Sequence, residues 1–179
     1  MWNEIESPHF TYLNASAYPK VGLFFNEAIH WLASRHHDSS VEVIVAFDLM
    51  ERKLLEIPLL DDFDHGLVYY GLWVFEEFLS IWNMNFHNHT LEIWVMKEYK
   101  LHFSWTKTLV IPIDDDILYF SPIYSTKSGD IIGTDGDRGL VKYNDKGLPL
   151  EYLEMNLNAS EVAMYKESLL SFPVDREQV

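Results

Sequence analysis

Two groups of histidines could bind a metal ion. His36 and His37 are adjacent, and a single asparagine separates His87 from His89. Imidazole is a common zinc ligand, but a zinc site needs three or four ligands at suitable spacing. Both groups lie in stretches rich in Asn, Asp and Ser, which are typical of turns, and neither has a third ligand at a defined interval. We therefore expect solvated turn histidines and no metal site.

Two runs of aspartate could act as paired carboxylates in glycoside hydrolysis or as calcium ligands. They occupy 61–64 and 114–116. A calcium-binding loop alternates its ligands around a central Gly and ends on a distal Glu, and neither run has this pattern. The nearest approach to it is Asp-Gly-Asp-Arg-Gly at 135–139, which a hairpin loop explains better.

Nothing in the sequence provides a nucleophile or a phosphate-binding loop. The chain has no cysteine, which excludes disulfides, thiol catalysis and thiolate zinc sites. It also has no G-x-S-x-G elbow, no phosphate-cradling glycine loop and no H-E-x-x-H pair. We predict that the chain is not an enzyme and uses no cofactor.

The charge of the chain is strongly negative. The 28 acidic and 13 basic residues give a formal net charge of −15. Coulomb repulsion disfavours nucleic acid and anionic membrane as partners, and a basic protein is the favoured complement. The same charge would also keep an aromatic-rich β protein soluble, so this argument leaves both interpretations open.

The sequence indicates a cytoplasmic protein, and the nucleus is also compatible with it. The first six residues include two glutamates and no basic residue, where a signal peptide would be basic and then apolar. No apolar run reaches the ~18 residues of a membrane span.

Short runs rich in Val, Ile, Phe, Tyr and Trp, broken by Asn, Asp and Gly, predict β-strands along most of the chain. The segments at 43–48, 91–96 and 140–144 are similar and recur at intervals of about 48 residues. A four-stranded unit of this length is typical of a kelch-like β-propeller blade, the alternative being a β-sandwich.

We therefore predict an all-β fold, a partial propeller of about three four-stranded antiparallel blades. Residues 1–179 form a single domain, with blades near 20–60, 67–113 and 120–158 and a C-terminal strand at 159–172. Closed propellers use four to eight blades, so we expect the chain to be part of a larger ring or a truncated form.

Trp73 follows the first acidic run within the aromatic stretch Tyr-Tyr-Gly-Leu-Trp. Period-two alternation favours the core for most tryptophans of the chain. An aromatic residue beside charge is also what a protein-binding surface needs, so Trp73 is a candidate for either role.

Four segments in this order resemble the F-box-associated region (type 1) of plant F-box proteins, including the S-locus F-box group. They are VGLFFNEAIHWLA at 21–33, IVAFDL at 44–49 leading to IPL at 57–59, LEIWVMKEY at 91–99 with SWTK at 104–107, and GLVKYN at 139–144. Glu27 departs from the family, whose first hairpin turns on Asn-Gly. A side chain hinders the positive φ of a type I′ turn, so we expect a looser or different turn there.

The resemblance implies the substrate-recognition subunit of an SCF-type ubiquitin ligase, with the ubiquitin chemistry on other subunits. A Skp1-like adaptor would bind only through an F-box, which is missing from this chain. The S-locus comparison implies a basic pistil ribonuclease (S-RNase) as the target. The alternatives are a truncated relative without ligase activity and an acid-rich propeller glycoside hydrolase.

If loops between strands contact the target, the acidic runs and the neighbouring tryptophan are the candidates. The predicted partner-binding residues are Asp61, Asp62, Asp64, Trp73, Asp114, Asp115 and Asp116.

Overall fold

The computed structural model describes residues 10–12, 22–35, 38–60, 69–85, 87–114, 117, 119–136 and 139–154, with the backbone alone at 38–41. These residues contain β-strands and one short 3-10 helix (His102–Ser104), and no α-helix. The strands are β1 (Phe10–Tyr12), β2 (Leu23–Phe25), β3 (Ala28–Arg35), β4 (Asp38–Asp48), β5 (Lys53–Pro58), β6 (Tyr69–Phe75), β7 (Phe78–Asn85), β8 (Thr90–Met96), β9 (Trp105–Pro112), β10 (Ser121–Ser125), β11 (Ile131–Asp135), β12 (Gly139–Tyr143) and β13 (Pro149–Glu154).

The strands form three antiparallel sheets in chain order. The first sheet has the order β2-β3-β4-β5, the middle sheet β6-β7-β8-β9 and the last sheet β10-β11-β12-β13. The short strand β1 adds to the first sheet beside β2, because β1 pairs with residues 33–35 of β3 and β2 pairs with residues 28–30. The strand β6 lies against both β2 and β10, so the first strands of the three sheets are neighbours.

This arrangement confirms the predicted all-β fold and partial propeller. The three similar sequence segments fall on β4, β8 and β12, the third strand of each sheet. Each sheet is one blade of the propeller. The domain and blade limits stay predictions, and the strand predicted at 159–172 lies outside the described residues.

Apolar side chains fill both spaces between neighbouring blades. Trp82, Ile93 and Ile111 of the middle blade pack with Val141 and Tyr143 of the last blade. On its other face, the middle blade packs Leu79, Ile81 and Met96 against the first blade, including Ile44 and Ile57. The six central residues of β7 are all buried, because this blade is covered on both faces.

A buried histidine joins the first and middle blades. The Nδ1 of His30 donates to the carbonyl oxygen of Leu23 at 3.2 Å, and the Tyr99 hydroxyl donates to Nε2 at 2.8 Å. The ring of Phe25 packs edge-on against both rings. Burial lowers the pKa of His30 below its ordinary value, so the neutral form fits this contact.

The expectation of a loose or different first turn is wrong. Phe25 pairs with Ala28, which leaves only Asn26 and Glu27 to reverse the chain. Both have positive φ, 45° and 60°, as in a type I′ turn. The strand pairing imposes the turn that matches strand twist, and Glu27 adopts it despite its side chain.

Candidate functional site

Five connections gather at one end of the three blades. Each blade has four antiparallel strands, so every connection between blades and every second hairpin returns to the same end. The strand ends that lie here are connected in sequence by residues 36–37, 59–68, 86–89, 113–120 and 136–138. The opposite end carries 26–27, 49–52, 76–77, 97–104, 126–130 and 144–148.

Contacts among described residues confirm this placement. The amide of Ile113, after β9, donates to the carbonyl oxygen of His89, before β8, at 2.8 Å. The amide of Phe120, before β10, donates to the sulfur of Met84 in β7 at 3.3 Å. The starts of β8 and β10 and the ends of β7 and β9 therefore lie together.

The two ends differ in charge. The five connections at the first end contain seven acidic residues and one basic residue, whereas those at the opposite end contain seven acidic and five basic residues. We call the first end the acidic end. Of its acidic residues the structure describes Asp114, so a concentration of negative charge on this surface stays a prediction.

All of the predicted aspartates belong to connections at the acidic end. Asp114 is exposed just after β9, and its carbonyl oxygen accepts a hydrogen bond from the amide of Ile117 at 2.9 Å. Asp61, Asp62, Asp64, Asp115 and Asp116 lie outside the described residues. A role in partner binding stays a prediction for all six.

Trp73 lies between the middle and last blades and is only 7% exposed. Its Nε1 donates to the carbonyl oxygen of Ile123 in β10 at 3.1 Å, and its ring packs against Phe75. This is the core position that the alternation favoured. Contact with a partner, the other role considered for Trp73, stays a prediction.

Tyrosine side chains form contacts between blades at the acidic end. The hydroxyl of Tyr70 donates to Glu42 Oε1 at 2.6 Å, linking β6 to β4. Burial, together with this hydrogen bond to a carboxylate, raises the pKa of Tyr70 far above its ordinary value. The rings of Tyr69 and Tyr119 meet edge-on at 4.0 Å. Sequence reasoning noted the Tyr-Tyr pair beside the acidic run but missed this role.

A second group of polar side chains lies in the last blade. Asp135 is buried at the end of β11, and the Tyr152 hydroxyl approaches its Oδ2 at 3.5 Å. Burial raises the pKa of Tyr143 to about 12, and the charges of Asp114 and Asp135 act in the same direction. Tyr143 is therefore neutral at physiological pH, and the charge here comes from carboxylates.

His87 and His89 do not form a group of three with other potential metal ligands in the described part of the chain. His87 and His89 lie in the turn between β7 and β8, where Asn85 Oδ1 accepts from the amide of His87 at 3.0 Å. No group of three potential metal ligands occurs among the residues that the structure describes. His36 and His37 lie outside them.

Within the described ranges, no helix is long and apolar enough to span a membrane.

The fold defines the class of protein as a partial β-propeller. The F-box associated beta propeller domain matches residues 1–138 of the 179, so the chain belongs to that family. This domain mediates protein interactions in F-box proteins. The match ends before β12, so the last hairpin lies beyond it. Comparison with curated proteins and with solved structures gives no match.

Proposed function

We propose that the chain is the substrate-recognition module of an SCF-type ubiquitin ligase and has no catalytic activity of its own. The observation that carries the proposal is membership of the F-box associated propeller family. In this arrangement the blades hold the target, other subunits supply the ubiquitin chemistry, and a Skp1-like adaptor binds through an F-box rather than through the blades. The module works in the cytoplasm or nucleus, where such ligases act.

The proposed target is a basic protein, bound at the acidic end, and a basic S-ribonuclease is the specific candidate. Seven acidic residues against one basic residue in these connections support this choice. Charge of this kind raises the association rate more than the final affinity, because it steers the encounter between the two proteins. The proposed contacts are the six aspartates of the two acidic runs.

A charge-matched pair of variants tests the choice of end. The first replaces Asp114, Asp115 and Asp116 by Asn, and the control replaces Glu51, Glu76 and Glu77 at the opposite end by Gln. Both raise the net charge by three, so they differ only in location. We expect the first to slow association with a basic pistil ribonuclease roughly threefold to tenfold at low salt, and the control to have a much smaller effect.

Stopped-flow measurement at several salt concentrations separates steering from contact, because steering weakens as salt increases. Equal slowing by both variants would show that net charge alone acts and that the acidic end is not the binding site.

A pull-down from plant extract tests whether the blades bind the target and the F-box binds the adaptor. The chain alone and the chain fused behind an F-box serve as two baits, and blots detect the Skp1-like adaptor and the ribonuclease. We expect the fusion to recover both and the chain alone to recover only the ribonuclease. Recovery of the adaptor by the chain alone would contradict the assignment of that contact to the F-box.

A further inference from the structure

Large apolar side chains are exposed at the end of the blades opposite the acidic end. Met50 is 74% exposed in the turn between β4 and β5, and Phe103 is 77% exposed in the connection between β8 and β9. These are the two most exposed large apolar side chains among the described residues, and Leu49, beside Met50, is 41% exposed. A single exposed apolar side chain is ordinary on a protein, but several on one surface are typical of an interaction site.

The two connections that carry these side chains are in contact. Lys100 Nζ lies 3.7 Å from Asp48 Oδ2. The other carboxylate oxygen of Asp48 accepts from the amide of Met50 at 3.0 Å. Asp48 therefore joins the two connections into one surface. We call residues 48–53 and 97–104 the tip surface.

The connection between β8 and β9 is ordered by its own hydrogen bonds. The Ser104 hydroxyl donates to the carbonyl oxygen of Glu98 at 2.9 Å and accepts from the amide of Glu98 at 3.0 Å. Within the connection, the Tyr99 hydroxyl donates to His30 of the first blade at 2.8 Å. These contacts fix the backbone and leave Phe103 exposed. A surface that is ordered before binding loses little conformational entropy when a partner binds.

The tip surface has a positive formal charge in a chain whose net charge is −15. Its charged residues are Asp48, Glu51, Arg52, Lys53, Lys97, Glu98 and Lys100. Four basic and three acidic residues give +1, so the rest of the chain carries −16. An acidic partner is repelled by most of the chain and attracted here, so charge complementarity favours an acidic partner at this surface.

We propose that the tip surface binds a segment of an acidic partner protein, in which apolar side chains are flanked by aspartate or glutamate. Met50 and Phe103 would provide the apolar contacts, since methionine and aromatic side chains are enriched at the core of protein interfaces. Arg52 and Lys97, which are both exposed, would pair with the carboxylates of the partner and favour the encounter.

A second copy of this chain fits the tip surface less well. Two tip surfaces that face each other would bring basic residues together, between chains that each carry a net charge of −15. Both terms are repulsive.

This inference does not depend on the proposed function. The tip surface lies at the opposite end from the acidic end and would bind a partner of the opposite charge. Failure of an acidic peptide to bind would therefore leave recognition of a basic target at the acidic end untouched, and the reverse also holds.

The probe is a dodecapeptide in which pairs of leucines alternate with pairs of glutamates, and the control peptide has lysine in place of every glutamate. Calorimetric titration of the full chain measures binding, and hydrogen exchange locates it. We expect the glutamate peptide to slow exchange in 48–53 and 97–104 and to leave 144–148, at the same end of the last blade, unchanged. The lysine peptide should leave 48–53 and 97–104 unchanged. Equal protection of these residues by both peptides would overturn the choice of an acidic partner.

Neutral substitutions test the two apolar contacts. The variant carries Met50→Ser and Phe103→Ser, and the control carries Val110→Ser and Leu148→Ser, at positions that are 47% and 58% exposed. All four side chains are exposed, so neither variant alters the core. We expect the first to weaken binding of the glutamate peptide roughly tenfold and the control to change it less than about twofold. Equal weakening by both would contradict the location.

A charge-matched pair of variants tests the basic residues. The first carries Arg52→Gln and Lys97→Gln, and the control carries Lys127→Gln and Lys146→Gln, which are exposed at the same end of the last blade. Both lower the net charge by two. We expect the first to weaken binding of the glutamate peptide roughly threefold to tenfold, less so at high salt, and the control to have a much smaller effect.

Three results would overturn the proposal outright. They are no detectable binding of the glutamate peptide at about 1 mM, unchanged affinity in the double serine variant at 50 and 103, and equal weakening by the two charge variants. Concentration-dependent dimers in sedimentation, abolished by the same double serine variant, would overturn it in favour of a second copy.

Discussion

The first hairpin turn stores backbone strain that a single substitution should release. Glu27 has a φ of 60°, and the left-handed conformation costs a residue with a side chain about 1–2 kcal/mol. Glu27→Gly removes that cost, while the freer unfolded chain offsets roughly 0.5–1 kcal/mol of the gain. We expect a net stabilisation of about 0.5–1 kcal/mol, which raises Tm by about 1–4 °C in a chain of this size.

The matched control is Glu77→Gly. Glu77 is the second residue of the equivalent two-residue turn between β6 and β7, but only Glu76 has a positive φ in that turn. Both Glu27 and Glu77 are exposed, and either substitution removes one negative charge. Glycine at 77 should therefore destabilise by roughly 0.5–1 kcal/mol, because it adds unfolded-state entropy without relieving strain.

Urea unfolding followed by tryptophan fluorescence measures both variants. Changes of the same sign in the two would refute the strain argument, because charge and composition change identically. Glu27→Ala tests whether loss of the charge alone explains the stabilisation, since it removes the side-chain charge but keeps the β-carbon. It should give no comparable stabilisation.

Two further predictions concern buried contacts between blades. The free energy of unfolding should fall as pH falls below the unfolded histidine pKa of about 6.5, because the lowered pKa of His30 lets the unfolded chain bind the proton more readily than the native chain. The slope of urea midpoints against pH in this window should flatten in His30→Gln, and an unchanged slope would point to another group. Gly147→Ala should destabilise by about 2–4 kcal/mol, since φ is 76° and the new β-carbon would lie 2.4 Å from Pro112 Cδ. Gly129→Ala is its control, with φ of 87° but a nearest contact of 3.3 Å, and should cost only about 1–2 kcal/mol; equal losses in thermal scans would contradict the packing argument.

The fold was predictable because strand alternation and the repeat are local properties of the sequence. The segments at 43–48 and 91–96 fall on the third strand of successive blades, as their similarity indicated. The turn at Glu27 was not predictable in the same way. Local preference disfavours a positive φ for glutamate, but a two-residue connection between paired strands requires it.

Trp73 shows what strand alternation in the sequence does not predict. Period two assigns side chains to opposite faces of a strand, but it does not say whether a face is covered. The middle blade packs against a blade on each side, so both of its faces are apolar. The position of Trp73 in the blade stack decides its burial, and that position is a tertiary property.

The prediction that the two acidic runs lie at the same end follows from the even number of strands in a blade. A four-stranded antiparallel blade returns the chain to the end at which it began, so positions one blade apart in sequence meet at the same end. Asp61 and Asp114 are 53 residues apart, and β5 and β9, which precede them, are corresponding strands. Acidic residues offset by part of a blade, such as Glu76, fall at the opposite end among basic residues. The spacing of the acidic runs, compared with the repeat length, is therefore the signal in the sequence from which we predict that their charge lies on one surface.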